Sequence, residues 1–164
     1  MSKLRIVAAL VALSFALANP AWRVKAGEWR WAKFSHMGGS AAGVVTGEGA
    51  QLTFNCYGDT APSPFRGPHL MGLLPSAKRA DPSSLLEILI DSRAVQIPVE
   101  LVDYDGAVAF VWRPDPKFDL SRMKSVITDL RGARQIQLRV ADISAGLPIE
   151  GAAEALSDDP LQCQ

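Results

Sequence analysis

Residues 85–112, LLEILIDSRAVQIPVELVDYDGAVAFVW, carry the pattern that decides the fold. Three runs rich in apolar residues are separated by short turn signals, which predicts β-strands over residues 85–91, 94–104 and 107–112. Asp105-Gly106 separates the last two runs, and this pair is a strong signal for a tight hairpin. Pro98 predicts a bend or an edge position, because proline has no N–H to donate within a sheet. The stretch therefore predicts antiparallel strands joined by short turns.

The N-terminal side predicts further strands of the same kind. They are expected over residues 28–34, 42–46, 51–57 and 69–74, with a glycine-rich turn over residues 37–43. Gly47-Glu48-Gly49 predicts the turn of a hairpin between residues 42–46 and 51–57. In the second arm Leu52, Phe54 and Cys56 share one face, because alternate residues of a strand point the same way. We expect that face, and the cysteine with it, to be buried.

The period changes to that of a helix over residues 118–131. Apolar residues recur there at helical spacing, namely Leu120, Met123, Ile127 and Leu130, and Val126 widens this apolar stripe. Asp119 or Ser121 is expected to cap the start, and Gly132 suits the end. A strand over residues 135–141 and a short helix over 149–156 follow. The whole pattern, about seven strands and two helices, predicts an α+β fold that is mainly β. We expect an antiparallel β-sandwich or barrel-like sheet with one covering helix and a short C-terminal helix.

The first 18 residues have the features of a cleavable secretory signal. Lys3 and Arg5 precede the apolar run 6–18, and Ala16-Leu17-Ala18 offers the small-x-small pattern that signal peptidase cleaves. The run is shorter than the roughly 20 residues that a membrane-spanning helix needs. The sequence therefore predicts a signal peptide over residues 1–18 and a single secreted domain over residues 19–164, without a later membrane span.

Cys56 and Cys163 are the two cysteines of the chain. An oxidising compartment favours their pairing in a disulfide, which would fix the C-terminal end of the chain. A metal or redox pair is the alternative, but Cys-x-x-Cys spacing and a nearby histidine are missing. The charge is balanced, with 17 basic and 17 acidic residues. Without a basic excess, nucleic acid is excluded as an expected partner.

The residues that could serve in catalysis or metal binding do not form a specific motif. Gly38-Gly39-Ser40-Ala41-Ala42 is similar to the nucleophile elbow of hydrolases, but the second glycine is replaced and no helical pattern follows. His36 and His69 have no metal-ligand spacing with each other or with Asp59, which favours surface histidines. We therefore predict no catalytic residue, no metal site and no cofactor.

Two regions are predicted to bind a partner. Trp29 and Trp31 share a face if residues 28–34 form a strand, and that face is either buried or free to bind a glycan or a protein. The second region, residues 58–84, is irregular and holds five of the 11 prolines, and loops of this length are usually functional or mobile. The candidate binding residues are Trp29, Trp31, Pro64, Phe65, His69, Lys78 and Arg79.

The order of features resembles that of small secreted bacterial envelope proteins. The matching features are Trp29, the segment Leu52-Thr53-Phe54-Asn55-Cys56, the helix over 120–131, the step Gly146-Leu147 and Cys163. The outline is similar to accessory envelope proteins of type VI secretion systems and to invasion-associated periplasmic proteins. This resemblance spans most of residues 19–164 and implies no catalytic residue.

The leading functional hypothesis is a periplasmic or secreted, non-enzymatic domain that binds another envelope or extracellular protein. One version is similar to the small exported lysozyme inhibitors, which block an enzyme with a loop. The first alternative is a carbohydrate-binding module that uses the aromatic face of Trp29 and Trp31. The second alternative is a small serine hydrolase built around Ser40.

Overall fold

A computed structural model describes residues 29–36, 39–63, 65–75, 77 and 85–163, with His36 described by its backbone alone. The predicted signal peptide and the start of the predicted domain lie outside these residues. Within them, two antiparallel sheets and two helices enclose a common hydrophobic core. The predicted α+β, sandwich-like fold class is confirmed.

The larger sheet has six strands in the order β1-β2-β3-β4-β8-β7. Its strands are β1 Ala32–His36, β2 Gly39–Val45, β3 Gln51–Tyr57, β4 Gly67–Leu73, β7 Glu100–Tyr104 and β8 Ala107–Trp112. The smaller sheet has four strands in the order β10-β9-β5-β6. They are β5 Leu85–Ile90, β6 Arg93–Pro98, β9 Ile136–Val140 and β10 Ile143–Leu147. The helices are α1 Leu120–Arg131 and α2 Ala152–Ala155.

The single strand predicted over residues 94–104 is in fact two strands in different sheets. β6 ends at Pro98 in the smaller sheet, and β7 begins at Glu100 in the larger one, with Val99 between them. Proline cannot donate to a ladder, so the chain leaves one sheet there and crosses to the other. Both expectations for Pro98, a bend and an edge position, are confirmed.

Other boundaries differ from the sequence prediction for identifiable reasons. The first strand starts at Ala32 rather than at residue 28, because Trp29 has a positive φ of 66° and belongs to a turn. Of the turn expected over residues 37–43, residues 39–43 are instead the first part of β2, and residues 37 and 38 lie outside the described residues. β10 was not predicted, and it pairs with β9 through a turn at Ala141, where φ is 52°. The described residues thus form ten strands.

The helix α1 covers one side of the core. Asp119 caps its start, since the side-chain oxygen accepts a hydrogen bond from the Arg122 N–H at 2.9 Å. Its buried residues are Met123, Val126, Ile127 and Leu130, all four of which belong to the predicted apolar stripe, whereas Leu120 is only half-buried. The C-terminal helix α2 is shorter than residues 149–156, where a helix was expected.

The predicted disulfide between Cys56 and Cys163 is confirmed. The two Cα atoms are 5.2 Å apart, within the usual range for such a bond. Cys56 is buried on β3 together with Leu52 and Phe54, which confirms the predicted inward face. The bond therefore joins the middle of the larger sheet to the C-terminal end of the described chain.

Candidate functional site

A groove of about 520 Å³ lies between strand β6 and helix α1. We call it the β6–α1 groove, and its lining residues are Arg93, Ala94, Val95, Gln96, Phe118, Arg122, Ser125, Val126 and Asp129. A strand and a helix build its two walls, and each contributes polar and apolar side chains. This combination can bind an extended segment by its backbone and by its side chains.

The strand wall of the groove is a sheet edge, which pairs with no further strand among the described residues. β6 is the last strand of the smaller sheet and pairs with β5 across a two-residue turn. In such a hairpin the closing pair, Ile90 and Arg93, is hydrogen-bonded, and the bonding then alternates along the strand. Arg93, Val95 and Ile97 therefore bond to β5. The peptide groups of Ala94 and Gln96 point away from it.

The helix wall is apolar at its base and charged at its rim. Val126 and Phe118 are almost fully buried and form part of the core. The Arg122 guanidinium lies 4.8 Å from the centre of the Phe118 ring and donates a hydrogen bond to the Lys117 carbonyl. Two arginines and one aspartate line the groove, so its net charge is positive.

A second concentration of polar groups lies on the face of the larger sheet that is turned away from the main core. Tyr57 Oη donates to Asn55 Oδ1 at 3.0 Å, and Asn55 Nδ2 donates to Thr53 Oγ1 at 3.1 Å. Burial raises the pKa of the Tyr57 hydroxyl above its usual range, and Tyr104 adds to this effect. Alternate residues of β3 thus form a buried polar row.

His69 lies beside this row and is fully buried. Its Nδ1 donates to the Gly67 carbonyl at 3.0 Å, and its Nε2 is buried without a hydrogen-bond partner. Burial lowers the pKa of the imidazole to about 4, against the opposing effect of the Gly67 hydrogen bond. The interpretation of His69 as a surface histidine is therefore wrong, because β4 turns its side chain into a covered sheet face. The His36 side chain lies outside the described part of the structure.

The predicted binding residues are only partly brought together. Phe65 and His69 are neighbours, with ring centres 5.8 Å apart, and the Phe65 ring also meets Tyr104 edge to face at 5.3 Å. Pro64, Lys78 and Arg79 lie outside the described residues.

The two tryptophans do not share an exposed face. Trp29 is 61% exposed, whereas Trp31 is buried and stacks on Phe54 with ring centres 6.3 Å apart. The Trp31 indole N–H donates to the Pro148 carbonyl at 2.8 Å. The expected common face fails because the turn at Trp29 precedes the strand. The alternative of a buried ring is confirmed for Trp31.

Ser40 lies within β2, where it pairs with Ser35 of β1 and Cys56 of β3. This position is a continuous strand, and neither the expected glycine-rich turn nor a strand-to-helix elbow forms there. The described residues contain no group of three or more His, Cys, Asp or Glu side chains that would hold a metal ion. Among the same residues, no helix has the length and apolar character needed to cross a membrane.

Sequence reasoning missed the β6–α1 groove. Two signals for it were present, namely the edge position predicted at Pro98 and the amphipathic pattern of α1. Their proximity depends on the pairing of β5 with β6 and β9, which the strand pattern does not specify. Comparison with known proteins adds no relative, since no family model, no curated protein and no solved structure matches this chain.

Proposed function

We propose that this chain is an exported, non-enzymatic domain that binds another protein of the envelope or of the extracellular medium. The β6–α1 groove is the observation that carries this proposal. It combines an open sheet edge, an apolar base at Val126 and charged side chains at its rim. Protein segments present the same three features in complementary form, namely backbone donors and acceptors, apolar side chains and charges.

Two observations support the export of the chain. The Cys56–Cys163 disulfide is of the kind that persists in oxidising compartments. The sequence of residues 1–18 has the charge, the apolar run and the cleavage pattern of a secretory signal. A periplasmic or secreted location agrees with both. The glycan-binding alternative loses its support, because it required Trp29 and Trp31 on one exposed face.

The proposal is tested by affinity capture with a matched pair of variants on α1. Ser125 and Thr128 are both exposed, and each hydroxyl donates to the carbonyl four residues earlier. Ser125 lines the β6–α1 groove, whereas Thr128 does not. Ser125→Tyr fills the groove, and Thr128→Tyr places the same ring on another side of the helix.

We expect the oxidised wild-type protein and Thr128→Tyr to retain the same partner from the native envelope or medium. Ser125→Tyr should lose it, as quantified by mass spectrometry of the captured material after mild cross-linking. If the wild-type protein retains no stoichiometric partner, the proposed function is wrong. If Ser125→Tyr retains the partner as well as Thr128→Tyr does, the partner binds elsewhere and the groove is not the binding site.

A further inference from the structure

The edge of β6 indicates how the groove would hold its partner, an inference that rests on the proposed function. We propose that an extended, acidic segment of the partner adds to β6 as a fifth strand of the smaller sheet, with its carboxylates beside the arginines of the groove. The segment would lie between β6 and α1.

The backbone of β6 offers the required groups. Ala94 and Gln96 each present an N–H and a C=O on the side away from β5, because hydrogen-bonded and non-hydrogen-bonded pairs alternate along the hairpin. Unpaired peptide groups at a sheet edge are a template for a further strand. Both residues are exposed, and the small side chain of Ala94 leaves the edge accessible.

The ends of β6 limit the length of the added strand. Pro98 has no N–H to donate, and the turn at Asp91 and Ser92 closes the other end. Pairing is therefore restricted to the six residues of β6 at most.

The charges of the groove favour an acidic segment. Asp129 is paired with Arg93, which leaves the charge of Arg122 uncompensated among the residues that line the groove. The Arg122 guanidinium has five N–H donors, and the bond to the Lys117 carbonyl leaves others for a carboxylate. The apolar surface at Val95 and Val126 suits an apolar side chain at every second position of the segment.

A synthetic peptide of alternating valine and glutamate, as long as the six-residue β6, is the first probe. Its binding to the mature, oxidised protein is measured by fluorescence anisotropy at low salt. We expect saturable binding of this peptide and at least about tenfold weaker binding when alternate amides are N-methylated, because methylation removes strand pairing without changing the side chains. A version with lysine in place of glutamate should bind more weakly than the glutamate peptide.

Variants of the protein give a second, independent test of strand addition. Ala94→Pro removes an outward N–H and should weaken binding of the peptide about tenfold. Arg122→Gln should weaken binding of the peptide about threefold. Arg131 is exposed on α1 outside the groove, so Arg131→Gln should leave the binding unchanged. Circular dichroism and the melting temperature show whether each variant is folded.

Any one of four results would overturn strand addition. The first is no binding of the valine–glutamate peptide, and the second is equal binding of its N-methylated form. The third is a wild-type dimer that Ala94→Pro converts to a monomer, which would make a second copy the occupant of the edge. A natural partner retained by Ala94→Pro but lost from Ser125→Tyr would leave the proposed function intact and reject this mode of binding.

Discussion

Arg93, at the start of β6, forms an ion pair with Asp129 in the last turn of α1. The pair joins the edge strand to the helix and closes one end of the β6–α1 groove. Arg122 lies two helical turns before Asp129, about 10 Å along the helix axis. The groove therefore has a neutralised pair near one end and a single positive charge nearer the other.

Neutralising Asp129 should strengthen the binding of an acidic segment. Asp129→Asn removes the negative charge from the groove and releases Arg93 from its partner, so we expect about threefold tighter binding of the valine–glutamate peptide. Anisotropy titrations at low and high salt measure this change, which should shrink as salt is added. Asp142→Asn, in the β9–β10 turn, is the matched control and should bind like the wild type. Unchanged or weaker binding by Asp129→Asn would contradict the assigned charge preference.

The same pair should contribute little to the stability of the fold. Both side chains are substantially exposed, and ion pairs of this kind are worth about 0.5 kcal/mol. A double-mutant cycle of Arg93→Ala and Asp129→Ala, measured by urea unfolding, gives the coupling energy. A coupling well above 1 kcal/mol would show that the pair holds α1 in place and does more than shape the groove.

The disulfide should be a major contribution to stability. It closes a loop with a sequence separation of 107 residues, for which the chain-entropy model gives roughly 4.7 kcal/mol. We expect Cys56→Ser combined with Cys163→Ser to lower the free energy of unfolding by about 3 to 5 kcal/mol in urea titrations. The wild type under reducing conditions serves as the control and should lose a similar amount. If reduction leaves the urea midpoint where it was, the bond does not constrain the unfolded chain as expected.

Gly39 should tolerate no side chain. A Cβ there would collide with the Cys56 carbonyl on the neighbouring strand, a backbone group that cannot turn aside as a flexible side chain can. Gly39→Ala is expected to cost about 2 kcal/mol, since the two strands must separate. Gly146→Ala on β10 is the matched control, because a Cβ there meets nothing within 4 Å. Urea unfolding of both variants checks the difference, and equal stabilities would be inconsistent with the close approach of β2 to β3.

Gly39 also shows why the start of β2 was not predicted from the sequence. Glycine, serine and alanine are typical of a turn, and local propensity predicted one over residues 37–43. The strand forms because Gly39 and Gly43 let β2 approach β3 closely, and this tertiary contact has no local signal. Where apolar residues are dense and short turns bound the run, as in β5 and β8, the prediction succeeded to within one residue.

The β6–α1 groove likewise depends on tertiary contacts that have no local signal in the sequence. The pattern of α1 predicted both the helix and its buried face, and Pro98 predicted an edge. The groove between them depends on which sheet receives β6. Pro98 indicated a bend within the run 94–104, but not that its two halves belong to different sheets. For a similar reason His69 was expected at the surface, and the burial of Trp31 was only one of two alternatives that the sequence left open. Their burial depends on neighbours far away in sequence, such as Pro148 for the Trp31 indole.

Protonation of His69 should destabilise the fold at acidic pH. Burial lowers the pKa of the native imidazole to about 4, whereas the unfolded chain titrates near 6.5. As the pH falls between these values, the unfolded state gains the proton first, so the native state loses stability. The full contribution is present above about pH 6.5, and we expect a loss of about 3 kcal/mol on reaching pH 4. His69→Gln should lack this part of the pH dependence, measured as the difference between the two proteins in urea unfolding at each pH. Parallel stability curves for both proteins from pH 7 to pH 4 would mean that His69 is not held neutral in the folded state.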